Sequence, residues 1–235
     1  MPQPLIVAHR GASAGSLGNS LEAFERAIQV GADMIEFDVR RTRAGELVVV
    51  HDPLVRGVPV GRLDRAEIGR RLGRVPPLVE EVLDLAAGRI AVDVELKETG
   101  YVAEVVAAIR DRVPREDLLL TSFHAGAIRN AKRLDPEIRT GFVLGLANVG
   151  SVLPVPRALR CGADAVLIRR QFAEHGLLER ADRAGLTPFV WTINDDEGLR
   201  SSLADPRVHG IVTDVPERAA ELRRELLGKT VAGGG

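Results

Sequence analysis

Cysteine occurs once in the 235 residues, at Cys161, which excludes an internal disulfide framework and any metal centre built from thiolates. In RALRCGADAV it reads as a small packing residue where a helix meets a loop. No run approaches the roughly 18 apolar residues that a membrane span needs. The opening MPQPLIVAHRG enters an apolar strand-like run without the basic segment and long apolar stretch of an export signal, so a cytoplasmic protein is expected. Neither sign of charge dominates: the formal net charge is -1 at pH 7, which leaves no basic footprint for nucleic acid. Lysine is scarce, standing only at Lys97, Lys132 and Lys229. Where arginine is written almost everywhere else, a lysine inside a strand points to a need for a compact ammonium group.

What is present is enough apolar sequence for a core, 45% of the chain, at a length that fits one large domain or two small ones. Short β-branched runs alternate with amphipathic stretches from end to end. Strands are predicted near 5–8, 34–39, 90–96, 118–122, 139–144, 165–169, 187–193 and 210–213, and helices over 21–30, 78–87, 101–112, 125–134, 171–184, 195–203 and 216–227. Asn19-Ser20 supplies a cap for the first helix, and Gly31, Gly88, Gly162 and Gly185 fall where helices should stop. This pattern predicts an α/β fold, a closed (β/α)8 TIM barrel forming a single domain over residues 1–228 with a disordered tail over 229–235. The competing doubly wound sheet lacks support, because HRGASAGSLGN does not carry the glycine spacing of a dinucleotide fingerprint. In the stretch ending ELVVVHDP, Ala44-Gly45 turns the chain so that 46–50 pair back on the second strand as a hairpin, presenting His51 beside Asp38. Residues 53–77 are expected to be the longest irregular stretch and to cover part of the barrel mouth.

One stretch contains what a buried strand should resist. In MIEFDVRR, Glu36 and Asp38 stand two residues apart among Met34, Ile35, Phe37 and Val39. Strand alternation puts both carboxylates on one face, and burying them side by side demands compensation. In a barrel of this kind the active site lies at the C-terminal strand ends. Strand one ends there in His9 and Arg10, the hairpin in His51 and Asp52, the seventh strand in Trp191, Thr192 and Asn194, and the eighth in Thr213 and Asp214. VDVELK puts Asp93, Glu95 and Lys97 on one face of the third strand. Glu36, Asp38 and Glu95 would converge inside the rim, and three hard oxygen ligands suit a divalent cation, Mg2+ or Ca2+. The alternative is an interior salt-bridge layer in which Lys97 and Arg10 neutralise the acids.

His9 and His51 each follow an apolar run and should reach the same mouth, as acid–base chemistry requires of a proton acceptor and a proton donor. Arg10 and Lys97 supply positive charge for a phosphate undergoing displacement, one by two-point contact and the other as a point charge. Trp191, the only tryptophan, either packs in the core or lines a pocket for an alcohol or glycerol. His124, His175 and His209 fall at helix starts or in loops, where solvent-exposed or capping roles are expected. Alternation turns one of Arg169 and Arg170 inward.

Taken in order, HRG at 9–11, NSLEAF at 19–24, GADMIEFDV at 31–39, VVVHDP at 48–53, VELK at 94–97, TSF at 121–123, VWTIND at 190–195 and GIVTDVPE at 210–217 resemble the glycerophosphodiester phosphodiesterase family. The resemblance implies a (β/α)8 barrel that uses a divalent cation to hydrolyse small-molecule glycerophosphodiesters to glycerol 3-phosphate and an alcohol. Carried over by position, it implies His9 and His51 as the acid–base pair, Arg10 and Lys97 at the phosphate, Glu36, Asp38 and Glu95 on the metal, and Asp52 orienting His51. Two departures stand out. Leu17-Gly18-Asn19-Ser20 replaces the family's usual Pro-Glu-Asn-Thr, so nothing is carried onto Gly18, while Asn19 keeps the helix-start role. The insertion after the hairpin is also short, which bears on substrate choice. The rival readings are a phospholipase D-type activity on lysophospholipids or sphingolipids, argued against by the lack of an apolar loop, and a non-catalytic barrel that binds phosphodiesters.

Overall fold

The computed structural model of the chain describes residues 3–15, 18–145 and 154–232. The run LIVAH forms strand β1 (Leu5–His9), and the acidic MIEFDVRR forms β2 (Met34–Arg41). β3 (Leu47–Val49) folds back antiparallel on β2, pairing Val39 with Val49 and Arg41 with Leu47. The hairpin expected from Ala44-Gly45 is therefore present. The remaining long strands are β6 (Ala91–Leu96), β7 (Leu118–Ser122), β8 (Thr140–Leu144), β9 (Ala165–Arg169), β10 (Thr187–Trp191) and β11 (Gly210–Thr213). They pair in parallel in the order β1-β11-β10-β9-β8-β7-β6-β2, and β1 pairs with β2, so the sheet closes into an eight-stranded barrel. This is a single-domain TIM barrel with a small hairpin sheet after β2.

Inside the barrel, Val7, Met34, Leu119, Val143, Leu167, Phe189 and Val212 form the apolar filling beneath the mouth. Gly210 makes room for it: a Cβ there would lie 2.5 Å from the Phe189 ring. The outward strand residues pack against the helices in two larger clusters, and Cys161 is buried in one of them, as expected of a packing residue. Among the described residues no helix is long and apolar enough to cross a membrane.

Two segments depart from expectation. Residues 53–77 are not irregular: β4 (Leu54–Val55) and β5 (Val58–Pro59) form a small ribbon, and α2 (Arg65–Leu72) follows. The helix is fixed by its ends, since Asp64 and Glu67 form a reciprocal capping box and Gly73 (φ 76) stops it. Its arginine-rich composition hides the apolar period. The helix Pro154–Cys161 was not among those predicted, because two prolines suppress a helical reading of PVPRALRC. Both stand in its first turn, where a missing N–H costs nothing. At the other end of the chain, the last helix continues past Gly228 to Ala232, beyond the boundary expected for the domain, and the final three residues lie outside those described.

Candidate active site

β2 and β6 are in register, with Glu36 beside Asp93 and Asp38 beside Glu95, so the inward carboxylates of two strands gather under the mouth. Glu36, Asp38 and Glu95 are 3%, 0% and 8% exposed, and each offers an oxygen within 4.8 Å of the others. Their present partners satisfy them unequally. Asp38 Oδ2 accepts from Asn19 Nδ2 at 2.6 Å, with Arg10 Nε 3.3 Å away. Lys97 Nζ donates to Glu95 Oε1 at 2.5 Å and lies 2.6 Å from Asp38 Oδ1, an ion contact not aligned as a hydrogen bond. Glu36 Oε2 accepts from the Arg10 amide at 2.9 Å, while its buried Oε1 has no hydrogen-bond partner among the described residues.

The electrostatics follow from this crowding. Burial, then the charges of Asp38, Glu95 and Asp93, push Glu36 well above the usual carboxylate range. Burial likewise raises Glu95 against the pull of Lys97. For Asp38 burial acts upward, but Lys97, Arg10 and His51 outweigh it and hold the group low. Asp93, one layer deeper, accepts from Thr121 Oγ1 at 2.6 Å and is pushed up to about 8, chiefly by burial. Lys97 and Arg10 thus do form the salt bridges of the alternative reading, yet among the described residues they leave one buried oxygen without a partner and two carboxyls pushed upward. Three hard oxygen donors with residual negative charge fit a divalent cation.

The histidines flank this cluster. After His9 the backbone enters the left-handed region at Arg10 (φ 59) and Gly11 (φ 82). Gly11 is required, because a Cβ there would lie 2.6 Å from the carbonyl carbon of Ala23 in α1 (Leu21–Gln29). This turn aims the Arg10 amide at Glu36. His9 Nδ1 lies 2.6 Å from Asp214 Oδ1, and Asn194 Nδ2 donates to the other oxygen at 2.6 Å. Ser13 Oγ is 3.0 Å from Asp214 Oδ1. Burial alone would raise Asp214, but His9, Asn194 and Ser13 together draw it down to about 2. On the opposite side His51 Nδ1 lies 2.8 Å from Asp52 Oδ1, and the buried Arg40 donates twice to the His51 carbonyl, at 3.0 and 2.8 Å. Burial lowers the His51 pKa, with Asp38 and Asp52 acting upward. Each histidine therefore has a carboxylate on Nδ1, which leaves Nε2 as the ring nitrogen that the carboxylate does not engage. A cavity of about 650 Å³ opens between His51 and Asp214, lined also by Arg10, Asn19, Asp52 and Arg74 among others.

Trp191 is half-buried at the end of β10 and does not line that cavity, its Nε1 donating to the Leu167 carbonyl at 3.1 Å and its ring meeting Phe123 edge-on at 5.6 Å. Arg169 lies over that ring at 5.9 Å while Arg170 pairs with Asp195, so Arg169 is the member of the pair on the Trp191 side. His124 starts the helix Ala125–Leu134 without a side-chain cap and places Nε2 3.1 Å from the Lys97 carbonyl. His209 packs on Phe189 at the opposite end of the barrel. The His175 side chain lies outside the described residues. Asn19 corrects an expectation: the cap of α1 is Ser20, which accepts from Ala23 N at 3.2 Å, and Asn19 (φ 58) turns inward to Asp38 instead. The pairing of Asp214 with His9 and the presence of Arg74 had no local sequence signal.

The profile of the Glycerophosphoryl diester phosphodiesterase family matches residues 9–218. The chain belongs to this family. It is thus an enzyme of the phosphoric diester hydrolase class. Its curated relatives include a glycerophosphodiester phosphodiesterase of Bacillus altitudinis, 30% identical over 94% of this chain and 98% of the relative. One from Caldanaerobacter subterraneus subsp. tengcongensis is 29% identical over 94% and 98%. The crystal structure of a glycerophosphodiester phosphodiesterase from Thermotoga maritima superposes with a TM-score of 0.82 at 26% identity, covering 95% of this chain and 100% of that one. The family assignment agrees with a mouth that holds acids, histidines and cations together.

Proposed function

We propose that the enzyme hydrolyses glycerophosphodiesters to glycerol 3-phosphate and an alcohol, with His9 and His51 moving the protons. The supporting observation is that two histidines, each with a carboxylate on Nδ1, flank a buried cluster of three carboxylates. Glu36, Asp38 and Glu95 would hold a divalent cation, Mg2+ or Ca2+, which supplies Lewis-acid polarisation of the phosphate when bound. Arg10 and Lys97 add cationic contacts for the phosphate oxygens, and Trp191 provides a wall for the glycerol.

In this reading the glycerol hydroxyl next to the phosphate attacks phosphorus. One histidine takes its proton at Nε2, and the other gives a proton to the departing alcohol oxygen as that P–O bond breaks. Water then opens the cyclic phosphate with the histidine roles reversed. Asp214 and Asp52 keep the two rings oriented and stabilise them when protonated. A diester lacking the free neighbouring hydroxyl should not be cleaved, and rapid cleavage of it would replace the cyclic route by direct attack of water.

The decisive assay is a panel of glycerophosphodiesters and lysophospholipids with added Mg2+ or Ca2+, scored for glycerol 3-phosphate from the former and lysophosphatidic acid from the latter. Release from none of them would overturn the reading. His9→Ala and His51→Ala should each lose about 10²–10⁴ in rate. A second reading, lysophospholipid cleavage, is favoured by Leu54 and Leu72, which line the cavity while 50% and 40% exposed. These leucines supply an apolar rim at the mouth.

A further inference from the structure

Arg74 follows α2 and reaches across the mouth to the β1–α1 loop. Its Nη1 donates to the Asn19 carbonyl at 3.0 Å and its Nη2 to the Gly18 carbonyl at 2.8 Å. Both partners are neutral, and among the described residues no carboxylate comes within ion-pair distance of this guanidinium. The group is half-buried, and burial lowers its pKa from the ordinary arginine value. Gly18 permits the arrangement, because a Cβ there would lie 3.1 Å from the Cβ atoms of both Arg10 and Ser13. The two carbonyls immobilise the guanidinium, while its remaining N–H donors meet no acceptor among the described residues. A fixed, partly desolvated cation without a counter-charge is a binding element for an anion.

Its position says which part of a substrate it would meet. Arg74 lines the 650 Å³ cavity together with His51, Leu54 and Leu72, whereas Trp191 and Phe123 do not. The carboxylates on the same walls, Asp52 and Asp214, are each taken up by a histidine. Resting on the proposed diester hydrolysis, with glycerol against Trp191, the cavity receives the departing alcohol. We propose that Arg74 selects diesters whose departing alcohol carries an anionic substituent, a carboxylate or a phosphate.

Two substrate pairs isolate that charge: glycerophosphoserine against glycerophosphoethanolamine, differing by a carboxylate, and glycerophosphoglycerol phosphate against glycerophosphoglycerol, differing by a phosphate. The wild-type kcat/KM should favour the anionic member of at least one pair by about tenfold or more, the worth of a charge-assisted hydrogen bond. The pair that responds identifies the anion. Arg74→Gln should bring the ratio to about one, and Arg74→Lys should keep part of it. Wild-type ratios near one in both pairs, or an Arg74→Gln enzyme slowed equally on all four substrates, would overturn the proposal. Should Arg74→Gln not fold, the wild-type ratio and its narrowing in Arg74→Lys decide. Calorimetric binding of the same diesters to His51→Ala protein separates this idea from the proposed function. If nothing is turned over, the function fails, yet a binding preference for the anion that disappears with Arg74→Gln still upholds selection, and equal binding refutes it.

Discussion

Asn19 holds Asp38 from two sides: its Nδ2 donates to Asp38 Oδ2 at 2.6 Å, and its Oδ1 accepts the Asp38 amide at 3.4 Å. A residue at the start of a helix thereby orients a carboxylate at the floor of the mouth. Outer partners of metal ligands are commonly worth about 10–100-fold in metal affinity or activity. Asn19→Ala should therefore raise the cation concentration for half-maximal activity by about that factor. Asn19→Gly, which suits the left-handed backbone but also lacks the amide, should show the same loss with better stability. Unchanged cation dependence in both would remove Asn19 from the site.

Cation binding should also be visible without turnover. Saturation at about a hundred times Kd contributes about 2.7 kcal/mol to the folded state, which for this chain length raises Tm by roughly 5–10 °C. A chelator should reverse the shift. Glu36→Gln should abolish it without making the cation-free protein less stable, since the buried, crowded Glu36 carboxyl resists ionisation. Differential scanning calorimetry of both proteins, with and without Mg2+ or Ca2+, is the measurement.

The pH–rate profile tests His51. Burial lowers its pKa and the Asp52 hydrogen bond opposes that, so its limb in log kcat/KM should lie below about 6.5. Asp52→Asn removes the upward contribution and should move the limb further toward acid. A rate that rises with pH through this limb marks His51 as the proton acceptor in the first step, and a falling one marks it as the donor. A limb that does not move in Asp52→Asn contradicts the pairing.

Asp214 gives a stability prediction with a definite sign. Its folded pKa of about 2 lies below the ordinary aspartate value, which is about 3.9 in an unfolded chain. A depressed carboxylate stabilises fully above the unfolded value, and that contribution is lost as pH falls through the folded one. Wild type should lose stability relative to Asp214→Asn between about pH 4 and pH 2. Urea unfolding at pH 5 and pH 3 checks this; parallel losses in the two proteins would mean that Asp214 is not depressed.

Much of the architecture is legible along the chain because its signals are local. Period-two apolar runs, helical periodicity and glycines at helix ends mark the eight βα units, and the Ala44-Gly45 turn brings His51 alongside β2. Alternation alone puts Glu36, Asp38 and Glu95 on inward faces, and nearness in register supplies the cluster. The helices missed show where local signals mislead. Prolines that ordinarily break a helix sit harmlessly in the first turn of Pro154–Cys161, and Arg65–Leu72 depends on its capping box more than on an apolar face.

By itself, then, the sequence determined the barrel, the inward acids and the two histidines at strand ends, because side-chain direction in a strand is set by covalent geometry. Only tertiary closure decided their partners. Asp214 meets His9 across 205 residues because β11 closes on β1, and Arg74 meets Gly18 across 56 because α2 and its flanking turns fold over the mouth. Tertiary structure also turned Asn19 from a helix cap into a support for Asp38. These pairings depend on which strands become neighbours and how far a loop leans, and no short-range pattern encodes either.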